Sequence, residues 1–207
     1  MPTSAENQTA ENQTADNQTA DNQVVDTQVD KQAEVTGLAL QALKDSTLHA
    51  FQVMTGLDAI LGPEFLQAAP ASAQRSISGV IGWGGEWTGT GIFDCTPEFA
   101  SMLANLMLGT DHTSLSEDAL DAIAEMTNII FGGMKSTIEA SLGPMNLSTP
   151  TVIFGNHVGM RGARDGCTVI PVGVLEHSLS VKFFITRTDE KRNSPSHFWA
   201  ATGHAPR

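Results

Sequence analysis

The 207 residues, 41% of them hydrophobic, are enough for one domain with its own core, needing neither disulfides nor a structural metal. With 11 Lys and Arg against 23 Asp and Glu, a formal net charge of −12, the chain lacks the basic surface that binding to a nucleic acid or an anionic membrane requires. Cys95 and Cys167 are too few for a disulfide framework and show no C-x-x-C spacing, so free thiols in a reducing, cytoplasmic setting are expected. No stretch approaches the ~20 apolar residues of a membrane span.

The first 36 residues hold seven acids and one lysine, a net of −6 and half of the whole chain's −12. They repeat every five residues: Ala5-Glu6-Asn7-Gln8-Thr9, the same from Ala10 to Thr14, then two copies with Asp for Glu. A period of five matches neither helix nor strand, and alanine alone offers too little to bury, so 1–36 reads as a disordered acidic tail. It has neither the basic start nor the apolar run of a signal peptide. The N-x-T sequons at Asn7, Asn12 and Asn17, and the N-x-S at Asn146, therefore read as chance rather than glycosylation sites. Residues 189–207, with His197-Phe198-Trp199, read as a second flexible tail.

Between the tails, Thr36-Gly37 opens a helical pattern of Leu40, Leu43, Thr47, Phe51 and Met54, which Gly56 closes. Ser76–Trp83 and Trp87–Asp94 flank Gly84-Gly85-Glu86, a β-hairpin signal. Thr96-Pro97-Glu98 supplies an N-cap, a proline in the first turn and an acid at the positive end of the helix dipole. Phe99, Met102, Leu103, Leu106 and Met107 give that helix its apolar stripe, and Gly109 ends it. A longer helix starts at a capping box, Ser114-Leu115-Ser116-Glu117, and stops at Gly143-Pro144. Strand patterns follow over 149–154, 167–174 and 179–186. The sum is an α+β fold, an antiparallel sheet with helices packed against it.

The long helix carries the informative pattern. At about 100° per residue from Asp121, Glu125 falls at about 40°, Asn128 at about −20°, Gly132 at about 20° and Lys135 at about −40°. Leu120, Ile123, Thr127, Ile130, Phe131, Met134 and Ile138 all fall between about 180° and about 280°. One face is core; the opposite face is a stripe of two acids, a carboxamide, a gap and a base. Adjacent glycines at 132 and 133 cost a helix about 2 kcal/mol relative to alanines. Gly132 lies on the stripe, where a missing side chain lets another protein come close. A polar stripe is usually a solvated face, and E-x-x-N recurs at Glu190–Asn193, so spacing alone assigns no function.

The context goes further. Asp121-x-x-x-Glu125-x-x-Asn128, running into Ile129-Ile130-Phe131-Gly132, resembles the signature of the CheC/CheX/FliY family of chemotaxis phosphatases. Ser78–Trp83 with Gly89-Thr90-Gly91 resembles that family's hairpin, Thr96–Gly109 its next helix, and Pro150–Gly155 the strand after the motif helix. The likeness spans Leu38 to Thr186. With one motif, on the long central helix, the chain is most similar to the CheX branch, and 37–188 is its domain.

The resemblance implies a hydrolase acting on the aspartyl phosphate of a CheY-like response-regulator receiver. In it, Asn128 orients the attacking water and Glu125 pairs with the receiver's active-site lysine. Asp121 is a supporting position, and Gly132 and Lys135 complete the surface that meets the partner. The chain needs no metal or cofactor of its own, because the Mg2+ belongs to the receiver. A homodimer joined through sheet edges is also implied. The residue types suit this chemistry: phosphoryl transfer depends on positioning, and a carboxamide binds a water without bringing negative charge to a phosphate. The alternative is a CheX-fold module that docks on a receiver or sister subunit without turnover.

Other constellations carry nothing. The 6 histidines show no zinc spacing, no G-K-[ST] forms a P-loop, and Gly89-Thr90-Gly91 sits in a strand pattern. Trp83 and Trp87 read as sheet packing, and Arg161 and Arg164 as a solvated loop.

Overall fold

The computed structural model describes residues 4–67, 75–111, 114–156 and 166–188, with side chains described from residue 30 onward. In chain order the elements are α1 (Ser4–Thr55), β1 (Ile60–Leu61), β2 (Phe65–Gln67), β3 (Arg75–Gly85), β4 (Trp87–Cys95), α2 (Pro97–Leu108), α3 (Glu117–Leu142), β5 (Met145–Leu147), β6 (Thr151–Asn156), β7 (Cys167–Val174) and β8 (His177–Arg187). Internal contacts group the chain into two compact units, 1–38 and 39–207. The first consists of the opening turns of α1, and everything below concerns the second unless stated.

The strands form one antiparallel sheet in the order β1-β7-β8-β4-β3-β5, with β2 also on β7 and β6 also on β3. The expected hairpin is its centre: β3 and β4 pair from Ile77↔Cys95 to Trp83↔Gly89, turning at Glu86. Strand alternation puts Ile77, Ile81 and Trp83 of β3, Phe93 and Cys95 of β4, and Val181, Phe183 and Ile185 of β8 on the same buried face. The helices pack there, so the α+β expectation holds.

Glycines set how closely α3 approaches the sheet. A Cβ at Gly79 would overlap the Thr127 hydroxyl, and one at Gly91 would overlap the Phe131 ring. Thr127, fully buried, satisfies its hydroxyl by donating to the Ile123 carbonyl at 2.6 Å. Phe131 stacks on Trp83 with ring centroids 6.2 Å apart. At the other end of the core Phe51 of α1 meets Phe93 at 6.2 Å and Phe99 of α2 at 6.2 Å. Trp83 is thus the packing residue expected, although its indole N–H, buried, has no partner among the described residues.

The local signals at α2 are realised: Thr96 accepts from the Phe99 N–H, Pro97 opens the helix, and Gly109 closes it at φ 67°. Two local expectations need correction. α3 is capped by Ser116, whose hydroxyl accepts from the Ala119 N–H, rather than by Ser114. Both serines precede an acidic first turn, but only Ser116 sits next to the first residue that the sheet can bury, Ala119. Nor does a helix begin at Thr36: α1 spans Ser4–Thr55, and the Thr36 hydroxyl donates back to the Gln32 carbonyl at 2.8 Å instead of capping. The C-terminal segment 189–207 and the loop with Arg161 and Arg164 lie outside the described residues. Among the described residues no helix is long and apolar enough to cross a membrane.

Candidate functional site

The stripe on α3 forms as its periodicity requires. The buried residues are Ala119, Ala122, Ile123, Met126, Thr127, Ile130, Phe131, Met134, Ile138 and Leu142. Asp121, Glu125 and Asn128 are on the other side, and Gly132 and Lys135 are half-buried. Glu125 and Asn128, three residues apart, stand about 4.5 Å apart along the axis on one face. Neither makes a hydrogen bond or ion pair among the described residues. A carboxylate and a carboxamide therefore point outward together, free to meet a partner.

The two glycines have different surroundings. An added Cβ at Gly132 would meet nothing within 4 Å, so the gap in the stripe is open to the outside. A Cβ at Gly133 would overlap the hydroxyl of Ser46 on α1. Ser46 donates to the Ile130 carbonyl at 2.7 Å across the same crossing. Gly133 is thus the internal close approach, and the sequence reading that gave the clearance argument to Gly132 holds only for the outer surface.

Lys135 is engaged within the chain. Its ammonium lies 2.9 Å from Glu139 Oε2, and Glu139 Oε1 accepts from the Met145 N–H at 2.9 Å. The Met145 N–H and then Lys135 hold the Glu139 carboxyl below the usual carboxylate range. The pair joins the last turn of α3 to β5, one helical turn beyond Gly132.

A feature that sequence reasoning missed is that α1 packs against α3. Ser46 fixes one level, opposite Ile130 and Gly133. Phe51 touches Phe93, Phe93 pairs with Gly79, and Gly79 lies under Ile123 and Thr127. The sequence held a signal for it: small Ala39, Ala42, Ser46 and Ala50 lie along one side of α1, and Gly133 leaves room for Ser46.

Away from α3, Ser78 donates to Asp94 Oδ1 at 2.6 Å and Lys182 donates to Asp94 Oδ2 at 3.1 Å. This satisfied cross-strand group lies on the sheet face turned away from α3. Cys95 is buried and Cys167 half-buried, and both are free thiols. Among the described residues no three His, Cys, Asp or Glu side chains are grouped to hold a metal.

An antiparallel sheet with a long helix packed across it is a fold that this chain shares with solved CheC- and CheX-like structures. Residues 77–172 match the model of the family Chemotaxis phosphatase CheX, and solved structures of CheX proteins share the fold, so the chain is CheX-like. Chemotaxis protein CheX from Desulfovibrio desulfuricans superposes with a TM-score of 0.65 at 23% identity, over 72% of this chain and 99% of that one. For CheX from Vibrio vulnificus the TM-score is 0.63 at 20% identity, over 72% and 99%. For the CheX–CheY–BeF3–Mg+2 complex from Borrelia burgdorferi it is 0.60 at 19% identity, over 72% and 97%. No curated protein matches the sequence.

Proposed function

We propose that this protein hydrolyses the aspartyl phosphate of a CheY-like response-regulator receiver. The observation that carries the reading is the outward, unengaged pair Glu125 and Asn128 on α3, in a chain whose CheX family likeness runs through both residues. A CheX bound to CheY with BeF3 and Mg+2, similar in fold, supports a receiver as the partner.

In this mechanism α3 presents its stripe to the receiver's phosphorylation pocket. Glu125 pairs with the lysine of that pocket and sets the register. The Asn128 carboxamide accepts from and donates to a water held in line with the acyl P–O bond. Water oxygen bonds to phosphorus, the bond to the aspartyl oxygen breaks, and inorganic phosphate and the free carboxylate result, with one water proton passing to solvent. A carboxylate at 128 would repel the equatorial oxygens; the amide does not. Mg2+ is held by the receiver and neutralises the phosphoryl charge there. Asp121 supports the docked geometry and Gly132 leaves room for the receiver's backbone, while Lys135, through Glu139, braces the end of the stripe. The catalytic unit is 37–188, with 1–36 and 189–207 as tails, in the cytoplasm, and it works as a homodimer joined through sheet edges.

The test is loss of phosphate from phosphorylated CheY-type receivers. Wild type should accelerate decay, while Asn128→Ala should slow turnover by about 10²-fold and keep binding. If wild type accelerates decay on no receiver from its own cell, the enzyme reading fails and a docking module without turnover replaces it.

A further inference from the structure

The core does not close evenly around α3. At about 100° per residue from Thr127, which faces the sheet at Gly79, Gly133 falls at about −120° and Asn128 at about 100°, on opposite flanks of the helix. Ser46 of α1 fills the Gly133 flank, and Ala122, Met126 and Ile130 on that side are buried. On the Asn128 flank, Leu120 and Ala124, at about 20° and about 60°, are half-buried. α1 reaches β4 through Phe51 and Phe93, and the far edge of the sheet through Lys44 and Glu64, between β1 and β2. β3 has β4 on one side and β6 on the other, so the Asn128 flank is the one that overlooks β6.

Strand register places the next residue. Val152 of β6 pairs with Gly79, and Phe154 with Ile77. Paired residues of an antiparallel sheet share a face, so Val152 and Phe154 stand on the face that carries α3, and β6 touches α3 directly. β6 lies about 4.8 Å beyond β3, at the margin of a helix about 10 Å across. Later residues of α3 lie over later residues of β3, Thr127 over Gly79 and Phe131 on Trp83. Phe154 therefore stands about one helical turn before Asn128. Its ring is 57% exposed.

We infer that Phe154 is an apolar anchor for the receiver domain, taking an apolar side chain beside the receiver's phosphorylation pocket and setting which receiver is accepted. This rests on the proposed function. A receiver that closes over Asn128 comes down on the flank that α1 leaves open. There it meets the carboxamide above and an apolar floor of Leu120, Ala124 and Phe154 below. A buried aromatic anchor ringed by polar contacts is the ordinary anatomy of such an interface. Phe154 touches no reacting atom in this arrangement. It acts on affinity and leaves the chemical step alone.

The experiment uses the full chain and three readouts: turnover on an acetyl-phosphate-phosphorylated CheY-type receiver, affinity for the same receiver activated with beryllofluoride and Mg2+, and sedimentation of the chain alone. Phe154→Glu should raise KM and Kd about tenfold and leave kcat within twofold. Phe154→Ser, the milder change, should move the same constants in the same direction, and Phe154→Tyr, which keeps the ring, should hold both. Leu175→Glu is the control: Leu175 is 66% exposed in the turn between β7 and β8, and neither constant should move. A Phe154→Glu protein that binds and turns over like wild type overturns the inference, as does an equal loss in Leu175→Glu. A loss that accompanies a change from dimer to monomer in sedimentation also overturns it, and makes the ring a contact between copies. If wild type binds without turnover and only the Phe154 variants weaken binding, the anchor stands and the phosphatase reading falls. Neither binding nor turnover by wild type overturns both.

Discussion

The Ser46 hydroxyl fills the space that a side chain at Gly133 would need. It donates there to the Ile130 carbonyl at 2.7 Å, so α1 and α3 touch backbone to side chain with no room for a methyl. The neighbouring glycine, at 132, has nothing within 4 Å of an added Cβ. Adjacent positions of one helix thus respond in opposite ways to the same substitution.

Gly132→Ala should raise the unfolding free energy by up to about 1 kcal/mol, the helix-propensity gain. Gly133→Ala gains the same propensity but overpacks the crossing, which costs about 1–3 kcal/mol, and should come out less stable than wild type. Urea unfolding of the two variants decides. Equal stabilisation would mean that α1 yields freely at the crossing.

A bulky side chain at 132 tests the outer gap independently of the core. Gly132→Phe should fold with a melting temperature close to that of wild type, since the position is open. It should raise KM for the phosphorylated receiver about tenfold by holding the partner away. Unchanged KM would show that the receiver does not approach this part of the stripe.

Glu139 gives a pH signature. Its folded carboxyl titrates below its ordinary value of 4.5, because the Met145 N–H and Lys135 favour the charged form. A carboxyl depressed in the folded state stabilises the protein above its unfolded pKa, and that stability disappears as pH falls through the folded value. Glu139→Gln should therefore melt lower than wild type at neutral pH, and the two melting curves should converge below about pH 4. A constant offset down to acid pH would contradict the assignment.

The thiols should differ in reactivity. Burial raises both, and Cys95, beside the negative charges of Asp94 and Glu98, lies well above the usual thiol range. Cys167 is raised less, with Lys182 opposing the shift. An aromatic disulfide reagent at pH 8 should label Cys167 slowly in the native protein and Cys95 only on unfolding. Native labelling of Cys95 at an equal rate would be inconsistent with its burial.

The N-terminal repeat has its own check. α1 spans Ser4–Thr55, whereas the five-residue period offers no apolar face of its own. Deleting residues 1–29 should lower the helical circular dichroism signal in proportion to the residues lost and leave the domain's melting temperature in place. An unchanged helical signal would mark the repeat as a coil in solution.

Much of the fold is legible along the chain. Thr96 before Pro97, the glycines at 109 and 143, and the hairpin around Gly84-Gly85-Glu86 act through hydrogen bonds and dihedral limits spanning a few residues. The stripe Asp121, Glu125, Asn128, Gly132 and Lys135 is legible for the same kind of reason: a 3.6-residue period assigns faces before any packing exists. The family resemblance read from the sequence rests on those residue types at that spacing. Less visible were β1, β2 and β5. Strands of two and three residues have no period to detect, and they exist only because β7 and β3 offer unpaired backbone at their edges.

Residue periodicity, caps and glycines thus determined the element types, the α+β class and the composition of the outward stripe, since each depends on neighbours within a turn or two. Only the tertiary structure decided that Gly133, and not Gly132, receives another helix, that Ser46 of α1 is the residue that meets it, and that Glu139 is held by the backbone of β5 at Met145. Those relations join residues up to 87 positions apart, as Ser46 and Gly133 are. They are set by which side chains can share one volume, and no local pattern in the chain specifies that.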